Sequence, residues 1–263
     1  MHYPQRIVCL TEETTETLYA IGAQDRIVGI SGFTVRPPHA RREKPKVSAF
    51  TSARHDEILA LKPDLVLGFS DMQADIAAEL VRAGVAVHVF NQRSVAGILT
   101  MIRTLGGMLG LSANTDELAD LLWQRLQAIS AQQAKLPRRP RVYFEEWGDP
   151  MISGIGWVSE LITMAGGEDI FPELAAEPGA RERIIADPAE VIARAPDIII
   201  GSWCGRKFRP ELIAQRPGWD AIPAVKNGQV HEIKSPLILQ PGPAALTDGV
   251  DSLCRIIDQV ALN

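Results

Sequence analysis

The sequence has few cysteines, few aromatic residues and no long apolar run, and each of these scarcities excludes a class of protein. The chain has 263 residues but only three cysteines, Cys9, Cys204 and Cys254. They lie far apart without CxxC spacing, so we expect neither a zinc knuckle nor a disulfide framework. The longest apolar runs are as long as strands and do not approach the roughly 18–20 residues of a membrane span. We therefore expect no membrane insertion.

Basic residues are also in deficit. The chain has 27 Lys and Arg against 32 Asp and Glu, a formal net charge of −5, and it has no long basic block. Because nucleic-acid binding requires a basic surface, we expect no nucleic-acid partner. The remaining composition, 46% hydrophobic and 22% charged, is that of a globular protein long enough for two modest domains.

The start of the chain shows no export signal, because Met1 is followed within a few residues by an apolar strand beginning at Ile7. Two locations fit this observation. The protein is cytoplasmic if Met1 is the true start, and periplasmic if a signal was trimmed or lies upstream.

Strand and helix patterns alternate along most of the chain, which predicts parallel sheets. One such region runs from Arg6 to Phe90 and another begins at Arg141, with a wholly helical stretch between them that ends in a helix over about 115–136. The predicted fold class is α/β, with two similar lobes of parallel sheet flanked by helices and joined by one long backbone helix. The predicted boundaries are 1–112 for the first lobe, 113–137 for the bridging helix and 138–263 for the second lobe.

An internal repeat supports two similar lobes. Residues 55–68 resemble residues 188–201 at a constant offset of 133, and both segments read as helix, Pro-Asp corner and apolar strand. Five positions are identical in the two segments: Glu57/Glu190, Ala60/Ala193, Pro63/Pro196, Asp64/Asp197 and Gly68/Gly201.

Aromatic residues are concentrated where ligands bind. Parallel sheets bind ligands beyond the carboxyl ends of their strands, so two lobes predict a cleft lined by strand-to-helix loops. Aromatics make up 6% of the chain, yet six fall on these loops: Phe33, Phe50, Phe69, Trp147, Trp157 and Trp203. Large apolar rings favour a large flat ligand, although any single ring is equally compatible with packing at the edge of the core.

Catalytic and metal-binding motifs are missing. The sequence has no GxxxxGK[ST], no complete GxGxxG and no GxSxG, and the five histidines show no metal-ligand spacing. The acidic pairs Glu12-Glu13 and Glu145-Glu146 are expected to be solvated or to cap helices, since neighbours on a strand point to opposite faces. Cys204, beside Trp203, is either an inert half-buried thiol or a ligand contact. We expect no enzymatic activity and no metal site.

Five segments together resemble a known family, and they occur in its order across nearly the whole chain: Arg6–Gly22, Lys46–Phe50, Asp56–Val66, Ala165–Phe171 and Arg216–Gly228. They are similar to ABC-transporter substrate-binding proteins of the helical-backbone class (class III), and among these to the cobalamin-binding branch.

The resemblance implies a monomeric receptor that clasps cobalamin or a related corrinoid between its lobes and delivers it to an ABC permease, with the corrinoid as cargo and no cofactor. Phe33, Phe50 and Phe69 match corrinoid-packing positions of the first lobe. Arg183 falls near a position where a relative has Trp, leaving Trp147 and Trp203 to supply aromatic surface in the second lobe.

The resemblance also implies an acidic docking residue on each lobe. Asp56 occupies that place in the first lobe. In the second lobe Ala189 stands at the aligned position, so Glu190, or Asp187 one turn earlier, takes the role. An acid in the first turn of a helix is also stabilised by the helix dipole whatever its partner, so a purely structural role remains an alternative.

Two other functions remain open. One is an iron-siderophore or haem receptor of the same fold, in which Arg36, Arg183 or Arg206 pairs with ligand carboxylates. The other is a cytoplasmic corrinoid-handling protein.

Overall fold

The computed structural model describes residues 3–263, and the chain forms two compact units. The first comprises the chain up to Gln92 together with Ala96–Leu121, and the second comprises Arg93–Val95 together with Leu122–Asn263. Each unit contains a mainly parallel sheet flanked by helices. The predicted α/β fold class is confirmed.

The sheet of the first unit has six strands in the order β4-β3-β2-β1-β5-β6. Its neighbouring strands are parallel except for β3 and β4. The strands are β1 (Ile7–Cys9), β2 (Ile27–Ser31), β3 (Lys46–Ala49), β4 (Ser52–Ala53), β5 (Leu65–Phe69) and β6 (Val87–Phe90). Ile7, Val8 and Cys9 are fully buried, as expected for the inner strand of a sheet covered on both faces.

The helices of the first unit follow its strands. They are α1 (Glu12–Ala20), α2 (Ala40–Glu43), α3 (His55–Ala60), α4 (Ala74–Arg82) and α5 (Val95–Leu109), followed by α6 (Ser112–Gln133). Helix α6 has 22 residues and is about 33 Å long at 1.5 Å per residue. It begins and ends three residues before the predicted positions, and the division between the two units falls inside it.

The sheet of the second unit has five strands. Four follow the order β11-β10-β7-β8, and β9 pairs with β7. The strands are β7 (Arg141–Gly148), β8 (Met151–Ser153), β9 (Glu168–Asp169), β10 (Ile198–Gly201) and β11 (Val230–Glu232). The helices are α7 (Gly156–Met164), α8 (Pro172–Ala175), α9 (Ala189–Arg194), α10 (Pro210–Ala214), α11 (Pro223–Lys226), α12 (Ser235–Ile238) and α13 (Val250–Ala261). The strands β4, β8 and β9, of two, three and two residues, are not among the predicted strands.

The internal repeat has the same local structure in both units. Lys62 and Ala195, which are 133 residues apart, both adopt left-handed backbone conformations, with φ of 48° and 44°. The next acidic residues act alike as well. Asp64 accepts hydrogen bonds from the main-chain nitrogens of Gln5 and Arg6, just before β1, and Asp197 accepts one from the nitrogen of Arg141, which begins β7. The Pro-Asp corner therefore fastens a helix-to-strand turn to the neighbouring strand in each unit.

Candidate functional site

The carboxyl ends of the parallel strands place four loops along one edge of the first sheet. These loops follow β1, β2, β3 and β5, and they carry three of the predicted ligand residues. Phe33 is 49% exposed and Phe50 is half-buried, whereas Phe69 is 7% exposed. Phe33 and Phe50 therefore offer open aromatic surface, and Phe69 contributes mainly an edge.

A buried glutamine connects these loops. Gln73 is fully buried, and its Nε2 donates to the main-chain oxygen of Phe50 at 2.8 Å. Its Oε1 accepts from the main-chain nitrogen of Phe69 at 2.9 Å. Phe50 lies in the loop after β3 and Phe69 is the last residue of β5, so one buried side chain joins two predicted ligand residues.

The turn after Phe69 has an unusual backbone. Ser70 adopts φ 65° and ψ 169°, a conformation that non-glycine residues rarely adopt. It is held by a hydrogen bond from its nitrogen to the oxygen of Phe90 and by one from the nitrogen of Met72 to its Oγ. The turn leaves Met72 56% exposed, which adds apolar surface at this edge. Met72 is not among the predicted ligand residues.

The acidic pair at the start of α1 is buried, so the solvated alternative is wrong, and both residues lie in the first turn of the helix, as the capping alternative requires. Glu12 and Glu13 are 7% and 1% exposed, because α1 begins where the innermost part of the sheet ends. The Oγ1 of Thr11 donates to Glu13 at 2.6 Å. Burial raises the pKa of Glu12 to about 7 and that of Glu13 to about 8. Both carboxyls are therefore protonated in part near neutral pH.

In the second acidic pair Glu145 is buried and Glu146 is half-buried, and the two side chains have different partners. At the carboxyl end of β7, Glu145 is fully buried and forms a two-bond ion pair with Arg216. The prediction of a solvated carboxylate is wrong for Glu145, whereas Glu146 keeps partial solvent exposure. The prediction that neighbouring carboxylates diverge is confirmed, because Glu146 pairs instead with Arg183.

Arg183 lies inside the second unit. It is 1% exposed, with hydrogen bonds to Glu146 Oε2 at 2.6 Å and to the main-chain oxygen of Ser153 at 2.5 Å. Its guanidinium thus supports β7 and β8, and the expectation that it faces a ligand is replaced by this structural role.

The tryptophans of the second unit differ in exposure. Trp147, at the end of β7, is half-buried, and Trp203, after β10, is 7% exposed; their ring centroids are 6.4 Å apart. Trp157 is 2% exposed and donates its Nε1 hydrogen to the oxygen of Ile238. Its predicted place on the ligand side is therefore wrong, because helix α7 turns it into the core. Cys204 is exposed next to Trp203.

The predicted docking residues are accessible. Asp56 is exposed in the first turn of α3, and the structure shows no ion pair for it within residues 3–263. Glu190 is exposed in the first turn of α9, 3.4 Å from Arg194. The Oδ1 of Asp187 accepts from the nitrogen of Ala189 at 2.9 Å, so Asp187 supports the start of α9.

Within residues 3–263, no three His, Cys, Asp or Glu side chains are arranged to hold a metal ion. Over the same residues, none of the helices combines the length and the hydropathy needed to cross a bilayer. His2 lies outside the described residues.

The family is decided by a match to the periplasmic binding proteins over residues 7–237, nearly the whole of both units. The chain belongs to the periplasmic binding protein family. It is therefore a substrate-binding protein of an ABC importer, in agreement with the resemblance found in the sequence. Family and fold are those of substrate-binding proteins and not of enzymes, and proteins of this family bind a small ligand and work with ABC permeases.

Three relatives illustrate the range of this periplasmic binding protein family. The uncharacterized ABC transporter substrate-binding lipoprotein YvrC of Bacillus subtilis is 26% identical, over 97% of this chain and 80% of the relative. The crystal structure of the periplasmic vitamin B12 binding protein BtuF of Vibrio cholerae has 25% identity and a TM-score of 0.76, with 98% of each chain covered. The apo periplasmic heme-binding protein RhuT of Roseiflexus has 22% identity and a TM-score of 0.80, covering 96% of this chain and 99% of RhuT. RhuT shows the shared fold alone.

Two residues of the site, Gln73 and Arg216, are not among those predicted from the sequence. Gln73 stands at the start of a predicted helix and carries no local signal. Arg216 begins one of the family-like segments, Arg216–Gly228, but no neighbouring residue indicates that it pairs with Glu145. Both side chains act on residues that are 23 and 71 positions away.

Proposed function

We propose that this periplasmic binding protein captures cobalamin or a related corrinoid and delivers it to an ABC permease. The observation that supports this most is the grouping of aromatic rings at the carboxyl ends of strands in both units. Phe33 and Phe50 offer accessible surface in the first unit, and Trp147 does so in the second. Vitamin B12-binding proteins are among its sequence relatives.

The binding mechanism that fits these residues is packing of rings against a large macrocycle. Each buried aromatic face removes apolar area from water without requiring a charge on the ligand. Trp203, which is 7% exposed, lies beside the accessible Trp147, with their ring centroids 6.4 Å apart. The corrinoid is cargo in this proposal, and the protein forms no bond to it and catalyses no reaction.

A haem or an iron-siderophore is the second candidate, and Arg206 is the observation in its favour. Among the three arginines considered for ligand carboxylates, Arg36 pairs with Glu16 and Arg183 pairs with Glu146. Arg206 is exposed, with its guanidinium carbon 5.6 Å from the ring centre of Trp203. A carboxylate on a flat ligand that covered Trp203 would be within reach of it.

Calorimetric titration with cobalamin, cobinamide, haem and a ferric siderophore separates these candidates. We expect both corrinoids to bind and haem and the siderophore to bind at least about a hundredfold more weakly, a difference of about 2.7 kcal/mol. Tight haem binding that is lost in Arg206→Ala would replace the corrinoid proposal with the second candidate.

Transport as the purpose of binding requires the protein to meet its permease outside the cytoplasm. We therefore propose a periplasmic or lipid-anchored location, with Asp56 and Glu190 as docking residues. Fractionation of cells that express the gene from its natural upstream region tests the location. Recovery of the protein only from the cytoplasm would favour the corrinoid-handling alternative.

A further inference from the structure

Glu145 is the centre of a buried hydrogen-bond cluster in the second unit. Its two carboxylate oxygens receive four hydrogen bonds. Arg216 donates two of these, at 2.5 and 3.0 Å, Tyr143 Oη donates one at 3.0 Å, and Trp203 Nε1 donates one at 3.1 Å. The side chain of Glu145 is fully buried, and that of Arg216 is 19% exposed.

The Glu145 carboxylate accepts more hydrogen bonds than neutralisation of its charge requires. Two parallel bonds from Arg216 already compensate the carboxylate. The additional donors, Tyr143 and Trp203, are neutral and belong to the apolar core cluster of this unit. Replacing a buried ion pair with apolar residues often leaves stability unchanged or raises it. Its presence here therefore calls for a role beyond stability.

One member of the cluster, Trp203, lies beside the accessible Trp147. Trp203, held at its Nε1 by Glu145, lies 6.4 Å from Trp147 between ring centroids. Trp147 is two residues beyond Glu145 on β7, and its own Nε1 donates to the oxygen of Asp149 at 2.8 Å. Next to it, a Cβ on Gly148 would lie 2.6 Å from Trp203, so only glycine allows this close approach. The two indoles are thus held by hydrogen bonds and by tight packing.

Arg216 is itself held on several sides. Its guanidinium carbon lies 4.5 Å from the ring centre of Trp219, and its nitrogens also contact the sulfur of Met151 and the oxygen of Gly148. The guanidinium therefore cannot rotate without losing contacts on β7, on β8 and in the segment after α10. Because Arg216 is held in place, its two hydrogen bonds also restrict the position of the Glu145 carboxylate.

We propose that the Glu145–Arg216 pair is a positioning device that sets the orientation of Trp203, and through it of Trp147, for the ligand. Glu145 and Arg216 are positioning residues, and the ligand itself touches the tryptophans. This inference rests on the proposed function for its ligand, but the orientation of Trp203 is measurable without any ligand.

Two double variants that lack both charges test the inference. Glu145→Gln/Arg216→Met keeps an acceptor for Trp203 Nε1, whereas Glu145→Leu/Arg216→Met removes it. We expect the Leu variant to change the near-ultraviolet circular dichroism of the unliganded protein in the tryptophan region and to weaken cobalamin binding by about tenfold or more. The Gln variant should show smaller changes in both the spectrum and the affinity, because it keeps the acceptor for Trp203 Nε1 and loses only the restraint from Arg216. Subtraction of a Trp203→Phe spectrum assigns the band.

A matched control removes an ion pair of the same unit that lies on the surface. Arg125 and Asp251 are 2.5 Å apart and exposed, and Arg125→Met/Asp251→Asn should alter neither the spectrum nor binding. Equal spectra and equal affinities for the folded Leu and Gln variants would overturn the inference. If the wild-type protein binds no corrinoid, the proposed function fails, while the spectral comparison still decides whether Glu145 orients Trp203.

Discussion

The side chain of Gln73 donates a hydrogen bond to the main-chain oxygen of Phe50, 23 residues earlier in the chain, at 2.8 Å. The same amide accepts from the nitrogen of Phe69, so the loops after β3 and β5 are spaced by one buried group. Phe50 and Phe69, two of the predicted ligand residues, are thereby joined through a side chain that is itself fully buried.

Replacing Gln73 with leucine should loosen this edge of the first sheet. A buried carbonyl and a buried N–H would each lose a partner, at about 1–3 kcal/mol for an unsatisfied group. We expect a thermal midpoint several degrees lower, given about 2–4 °C per kcal/mol for domains of 150–250 residues, together with weaker cobalamin binding by the folded protein. Gln124→Leu, at an exposed position of α6, should change neither. An unaltered affinity in Gln73→Leu would show that the loops hold their spacing without the amide.

The accessible and buried aromatics should respond differently to truncation. Phe33→Ala and Phe50→Ala should weaken corrinoid binding by about 1–3 kcal/mol, as for an anchor in a desolvated site, with little change in thermal midpoint. Trp203→Ala should lower both affinity and midpoint, because this residue is 7% exposed and bonded to Glu145. Parallel titration and calorimetric melting measure the two effects. Loss of stability without loss of affinity at Phe50 would assign that ring to the core.

Cys204 should be dispensable for binding. Its thiol is exposed beside Trp203, and a ligand held by aromatic packing gains little from one peripheral sulfur. Cys204→Ser should keep nearly all of the cobalamin affinity. A shift of the cobalamin absorption bands that occurs with the wild-type protein and disappears in Cys204→Ser would indicate a cobalt–thiolate contact and favour the corrinoid-handling alternative.

The buried carboxyls of Glu12 and Glu13 should make stability depend on pH. Burial raises their pKa from an ordinary value of 4.5 to about 7 and about 8. Between pH 4.5 and 8 the folded state therefore binds more protons than the unfolded state, so the free energy of unfolding falls as the pH rises through this window.

The variant Glu12→Gln/Glu13→Gln should lose this component. The difference between the melting temperatures at pH 5 and pH 8.5 should be smaller for the variant than for the wild type. At pH 8.5 the variant should be more stable than the wild type. The exposed Glu117→Gln serves as the control. A variant whose melting temperature changes with pH as steeply as that of the wild type would show that other groups carry the dependence.

Charge reversal at both lobes tests the docking residues. Asp56→Lys combined with Glu190→Lys should leave ligand affinity unchanged, because both acids are exposed in the first turns of helices. Uptake by the cognate permease, reconstituted in vesicles, should be abolished. Normal delivery by the double variant would show that the two carboxylates only stabilise their helices and do not dock to the permease.

Much of the architecture is readable from local patterns in the sequence. Alternation of short apolar runs with helical periodicity determines an α/β fold with parallel sheets. The type of each element can be read from its own residues, because the periodicity lies within the element. The repeat between residues 55–68 and 188–201 further determines that two units share one substructure, down to the paired conformations of Lys62 and Ala195. The strand ends, and hence the loops that carry the site, follow from the same patterns.

Burial and pairing within the site were decided only by the tertiary structure. Nothing local distinguishes Phe33, which is 49% exposed, from Phe69, which is 7% exposed, because exposure depends on which distant segments cover a loop. The same holds for Glu145, whose charge is buried only because Arg216 arrives from 71 residues away to compensate it. Sequence patterns place residues along an element, whereas the solvation and partners of a side chain depend on residues that come together only when the chain folds.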